Sequence, residues 1–156
     1  MKNGTIQNGA WQLVTSEDLK ARTKSFALRI IMLVDAVPRR VAGQVISKQL
    51  LRAATSVGAN YRAACRAQSR ADFAAKLSIV VEEADESVYW LELLRESSLV
   101  KPERLERLLK EANELVAIAV ASRKTAKGGG LRISSGPSRP IANRPSKIVN
   151  LPDGQE

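Results

Sequence analysis

Between Arg39 and Arg70 the chain reads "RRVAGQVISKQLLRAATSVGANYRAACRAQSR", with seven Lys/Arg side chains and no carboxylate. Such groups bind polyanions, arginine as a planar fork of donors and lysine as a point charge. On a helix turning about 100° per residue, Lys48, Arg52, Arg62, Arg66 and Arg70 fall within about 40° of one line. Ile46, Leu50, Ala53, Val57, Tyr61, Ala64 and Gln68 gather around the opposite pole. A helix over 39–67 would bury that pole and carry behind it a basic ridge roughly 33 Å long, reaching to Arg70 if the helix does. That length could meet several phosphates of an RNA or DNA backbone. The competing reading is a solvated face, or one neutralised by acids of a neighbour. The next segment holds Glu82, Glu83, Asp85, Glu86, Glu92 and Glu96. Antiparallel helices meet along core and flanking positions, so these acids are expected not to reach a ridge pointing straight outward. Carboxylates of another subunit could.

Other chemistries are restricted by what the chain lacks. It has no histidine, which removes Ser–His and Cys–His dyads, Glu-x-x-His di-iron sites and histidine-ligated zinc. Cys65, the one cysteine, cannot close an intrachain disulfide and lies in an alanine-rich helical pattern, which suggests packing. Gly128–Gly130 is not followed by Lys-Ser/Thr and is no P-loop. Glu82, Asp85 and Glu86 of "EEADE" lie on one side of their helix. Without histidine they read as a solvated or partner-facing surface, and no metal or cofactor is expected. On the same helix Ile79, Tyr89, Trp90 and Leu93 cluster away from the core stripe. Large apolar groups on a second face predict an oligomer or partner interface; a core face wide enough to include Trp90 is the rival.

Four amphipathic segments must position these residues. The first starts near Thr15–Ser16 with Glu17 and Asp18 in its first turn. It repeats apolar residues at Leu19, Phe26, Ile30, Leu33, Val34 and Val37, and stops by Pro38. Leu28, Ile31 and Met32 add apolar surface outside that stripe. The second is the basic segment. The third is capped at Ser69 with Asp72 three residues on, carries Phe73, Leu77, Val80, Ala84, Val88, Leu91 and Leu94, and runs to about Ser97. The fourth opens at Pro102 and carries Leu105, Leu108, Leu109, Ala112, Leu115, Val116 and Ala119. Glu103–Arg107, Glu106–Lys110 and Arg107–Glu111 stand at i,i+4 spacing on its outer face. No stretch alternates with period two. The fold class is all-α: an antiparallel up-down-up-down four-helix bundle over 15–126. Residues 1–14 read as a flexible N-terminal extension, and 127–156 as a disordered Gly/Pro/Ser-rich basic tail.

The formal charge is +9, of which the residues from Arg123 onward contribute +5. Nucleic acid is the first partner this suggests and an anionic membrane surface the second. The N-terminus lacks an uninterrupted apolar core, and the longest apolar run, "IIMLV" at 30–34, is too short to span a bilayer. The expectation is a cytoplasmic protein with no membrane partner.

"LLRAATSVGANYRAACRAQSRADFAAKLSIVVEEADESVYWLELL" (50–94) resembles the bacterial four-helix-bundle proteins first noticed as reading frames within intervening sequences of large-subunit ribosomal RNA genes. Arg52-Ala53-Ala54-x-Ser56-Val57, Ala59-Asn60, and "EEADES" followed by Trp90-Leu91-Glu92-Leu93-Leu94 carry the resemblance, which extends over about 17–124. It implies an up-down bundle and a ring-shaped homopentamer. In one branch it implies an accessory protein that associates with a reverse transcriptase and nucleic acid through a basic surface. It transfers no catalytic residue. Many relatives have proline at the position of Gly58 and continue from the asparagine with Ile-Ala-Glu-Gly; here Tyr61-Arg62-Ala63-Ala64 follows, which argues for another branch. Asn60, a polar residue in this apolar region, is expected to specify the fold by bonding a carbonyl of the first helix or of a neighbouring subunit. The function expected is a non-enzymatic oligomer binding RNA or DNA backbone through Lys48, Arg52, Arg62, Arg66 and Arg70. The alternative is a scaffold that docks a partner protein through the third helix.

Overall fold

The protein is seen in a computed structural model that describes residues 4–7, 10–13 and 15–128. Helices α1 (Ser16–Asp35), α2 (Val41–Ala64), α3 (Arg70–Glu96) and α4 (Pro102–Ala126) follow one another through short connections at 36–40, 65–69 and 97–101. Connections this short bring consecutive helices back antiparallel. Strands β1 (Gly4–Gln7) and β2 (Ala10–Leu13) pair with each other as an antiparallel ribbon ahead of α1, with Gly4 opposite Leu13 and Gln7 opposite Ala10. No alternating pattern was expected there, so the ribbon is an addition to the expected extension. The expected tail lies, beyond Gly128, outside the described residues.

Helix starts follow local chemistry. Thr15 caps α1 in a reciprocal box: the Asp18 amide donates to Thr15 Oγ1 at 3.1 Å, and the Thr15 amide donates to Asp18 Oδ2 at 2.9 Å. At α3 the Asp72 amide donates to Ser69 Oγ at 3.1 Å, while Asp72 Oδ2 accepts from the Gln68 amide at 3.2 Å. Pro102 stands at the start of α4, where its missing N–H costs nothing. Past the end of α3, Ser98 takes a left-handed φ of 55°, the conformation that usually selects glycine after a helix.

The core is built from the predicted stripes. Phe26, Ile30, Leu50, Leu77, Leu91, Leu94 and Leu105 are fully buried, and Val34, Phe73, Val88 and Val116 are half-buried against them. α2 packs on both α1 and α3, and α3 also packs on α4, whereas α1 meets α4 only lightly. That seam is bridged by charge. Arg22 Nε donates to Glu111 Oε1 at 2.6 Å, Arg22 also pairs with Glu114, and Arg29 lies 3.6 Å from Glu111. Glu111, expected to pair along α4 with Arg107, thus turns to α1 instead. Its side chain is only 18% exposed there, so it gains a partner that excludes water.

Two glycines of α2 meet different surroundings. A Cβ on Gly43 would sit 2.4 Å from the Pro38 carbonyl oxygen, which also accepts from the Arg40 amide at 2.7 Å. A Cβ on Gly58 would rest 3.6 Å from Thr23 Oγ1, an ordinary contact. Gly43→Ala is therefore expected to lose about 1–3 kcal/mol by forcing the 36–40 turn apart. Gly58→Ala should gain about 0.5–1 kcal/mol from helix propensity. Urea denaturation of the two variants checks both signs; a stabilised Gly43→Ala would contradict the turn geometry.

Candidate nucleic-acid interface

The apolar pole of α2 is where the sequence puts it: Ile46, Leu50, Ala53, Val57, Tyr61 and Ala64 are all buried. Gln68 is not among them. It is exposed and lies beyond α2, whose helix ends at Ala64, a few residues before the expected end at 67. Turning at 65–69 moves the next residues off the α2 axis.

The basic ridge is consequently divided. Lys48, Arg52, Arg62 and Arg66 are exposed along or just past α2, whereas Arg70 is the first residue of α3. Arg70 Nη2 donates to the Thr125 carbonyl at 3.2 Å, so this cation caps the last turn of α4. Arg52 does not stand free either. Its Nη1 lies 3.3 Å from Glu83 Oε2 and its Nη2 2.5 Å from Glu86 Oε1, both on α3 of the same chain. The expectation that α3 acids could not reach the ridge is corrected here. Position 52 lies about 40° off the outward line, and a long arginine stem can lie across the interhelical groove while its head stays half in water. The bond to Glu86, then the Glu83 charge, hold the Arg52 guanidinium more firmly protonated than an ordinary arginine. Glu86 is in turn held below the ordinary carboxylate range, first by Arg52 and then by Trp90, whose Nε1 donates to Glu86 Oε1 at 3.0 Å.

Two cations that the sequence reading did not include complete the remaining surface. Lys20 and Lys24 of α1 line one groove with Arg62 and Arg66, a cavity of about 300 Å³ in which Glu17 is the only carboxylate. Glu17 pairs with Lys20 at 2.6 Å. Among the described residues, Lys24, Lys48, Arg62 and Arg66 have no acidic partner within ion-pair distance. The sequence signal was present, since Lys20 and Lys24 are one helical turn apart, but only the α1–α2 packing brings them beside Arg62.

The predicted third-helix face separates into two kinds of residue. Ile79 and Tyr89 are 42% and 53% exposed, whereas Trp90 and Leu93 are half-buried against the core. The Tyr89 and Trp90 rings meet edge to face at 5.0 Å. Leu28, Ile31 and Met32 of α1 are exposed too, Met32 by 73%. Asn60 is half-buried and bonds within its own helix, Nδ2 donating to the Ser56 carbonyl at 2.9 Å. Among the described residues this local bond stands in place of the expected one to an α1 carbonyl, since its own preceding turn is the shorter reach. Among the described residues, no group of three or more Cys, Asp or Glu side chains is placed to hold a metal ion. Nor is any described helix long and apolar enough to cross a membrane.

A four-helix bundle with a basic groove between its first two helices is the class these observations define. The family described as 23S rRNA-intervening sequence protein matches residues 17–121, and the chain belongs to that family. Among solved structures it is similar to a crystal structure from Bacteroides thetaiotaomicron, described as a protein with unknown function from the S23 ribosomal protein family. The identity is 40% and the TM-score 0.64, with 68% of this chain and 98% of that one covered. No curated protein matches the chain.

The carboxylates of the site make stability depend on acid. Glu86, Asp18 and Asp72 have folded pKa values below their ordinary 4.5, 3.8 and 3.8, held by Arg52, the Thr15 cap and Lys76 respectively. Groups depressed in the folded state add stability that is complete above the unfolded pKa and is lost as pH falls through the folded one. The melting temperature should thus be flat in this respect around neutrality and drop below about pH 4.5. Glu86→Gln should flatten part of that acid slope, read from thermal melts across pH; an unchanged slope would mean the Arg52–Glu86 pair is not maintained in solution.

Proposed function

We propose that the protein is a non-enzymatic, cytoplasmic nucleic-acid-binding bundle that grips the phosphate backbone of RNA or DNA in the α1–α2 groove. The observation that carries this reading is the convergence of Lys20, Lys24, Arg62 and Arg66 on one groove containing a single carboxylate. Partnered arginines have their charge spent within the fold; Lys24, Arg62 and Arg66 have no acidic partner among the described residues, and Lys20 shares its charge with Glu17 alone. Lys48 extends the track about 21 Å along α2 from Arg62. Arg70 retains donors beyond the one given to Thr125. The basic residues from Arg123 onward add diffuse attraction without geometry. Backbone contacts of this kind position a ligand and carry no base sequence information.

Self-association is the second part of the proposal, supported by exposed Ile79 and Tyr89 on α3 and by exposed Leu28, Ile31 and Met32 on α1. A ring of copies would repeat the groove and raise avidity without a new contact. An apolar α3 surface could equally seat a partner protein, and the loss of self-association in the variant below separates the two.

With three or four phosphates engaged, log Kd against log salt for a duplex is expected to have a slope magnitude of about 3–4. Lys24→Ala, Arg62→Ala and Arg66→Ala should each lower that slope by about 1 and weaken binding to all sequences alike. Arg52→Ala should leave it unchanged. Fluorescence anisotropy over a salt series reads this; salt-independent binding, or an Arg52→Ala effect as large as that of Arg62→Ala, rejects the groove as the site. In sedimentation velocity, Ile79→Glu combined with Tyr89→Glu should shift the wild-type species to a smaller one. Identical profiles exclude α3 from the assembly.

A further inference from the structure

We infer that the basic groove opens into a base-binding pocket at the end of the bundle, so that the preferred ligand is a single strand rather than a duplex. This rests on the reading of the groove as a phosphate site and adds to it a place for one unpaired base. Where α1 and α3 begin and α2 and α4 end, the helices enclose a cleft of about 550 Å³. That volume falls within the about 300–1,000 Å³ usual for small-molecule sites. Lys20 lines both this cleft and the basic groove, so the two adjoin at that side chain.

The lining suits a nucleobase. Phe73, only half-buried, brings an aromatic ring from α3 to the cleft, which the largely buried Tyr61 of α2 also lines, and every base has a face that can stack on such a ring. Gln68 offers an amide donor and acceptor, and Ser122 and Thr125 offer hydroxyls, which is the polar complement a Watson–Crick edge needs. Burial pushes the Tyr61 phenol well up, so it stays a neutral surface across the physiological range. Arg70 also lines the cleft, a second cation for the phosphate that follows the inserted base. Paired bases in a duplex cannot present these faces and edges without being unstacked and extruded first. The positive charge that attracts the strand and the pocket that accepts its base thus meet at Lys20.

Cys65 lines the cleft and is the only thiol in the chain, which supplies a reporter without modification of the protein. The full-length protein is saturated with single-stranded oligothymidylate, or with a blunt oligothymidylate–oligoadenylate duplex of equal length, and alkylated with a maleimide. The single strand is expected to slow alkylation of Cys65 several-fold and the duplex to leave it unchanged. In parallel, Phe73→Leu, which keeps the apolar volume, should weaken single-strand affinity roughly tenfold while duplex affinity holds. Gln68→Ala, at an exposed position, should do the same to a smaller extent. Equal protection by both ligands, or binding of both with no protection and no change in either variant, overturns the pocket and leaves the phosphate groove standing. Failure of the wild type to bind either ligand overturns both.

Discussion

Burial of α2 from two sides fixes the rest of the structure. Leu50, Ala53, Ala54 and Val57 have no exposure at all, because α1 covers one flank of the helix and α3 the other. Small residues help to close this seam: Ala53, Ala54 and Gly58 are all buried on this helix, and position 58 faces Thr23 of α1. Once that seam is closed, the rotation of α2 about its axis is no longer free. A turn large enough to bury Arg62 or Arg66 would expose the apolar seam and leave a charge without water or a counter-charge. The outward direction of those cations is therefore a consequence of packing, not a separate device.

The arginines then divide according to what lies next to each of them. Arg22 and Arg29 close the lightly packed α1–α4 seam on Glu111 and Glu114. Arg52 ties α2 to α3 through Glu83 and Glu86, and Arg70 caps the end of α4. These side chains do structural work of the modest kind that half-exposed ion pairs supply. Among the cations left without an acid in the described residues, Lys24, Arg62 and Arg66 share one groove where α1 faces the end of α2. Subtraction narrows the choice of a proposed binding surface to the positive charge that the fold does not use.

The same subtraction applies to apolar surface. Trp90 and Leu93 are largely consumed by the core, and Trp90 further anchors the Glu86 end of the Arg52 bridge. Ile79 and Tyr89 on α3, and Leu28, Ile31 and Met32 on α1, are not consumed. Membership of the intervening-sequence protein family spans the helical body, from the first turn of α1 through most of α4. Every residue of the proposed groove lies inside it.

The helical stripes, the caps at Thr15 and Ser69, the start at Pro102 and the apolar pole of α2 could all be read from the amino-acid order. They depend on interactions within a few residues and on a period of about 3.6. The family motifs were legible for the same reason. Which charges remain available was not. A helical wheel treats a side chain as a direction, whereas Arg52 reaches sideways to acids that are 31 and 34 residues further along the chain. Lys20 and Lys24 lie far in sequence from Arg62 and Arg66 and become neighbours only through the packing of α1 on α2. The chain order settles what each helix buries; the docking of helices decides which side chains meet, because long-range contacts depend on separations that no local pattern encodes.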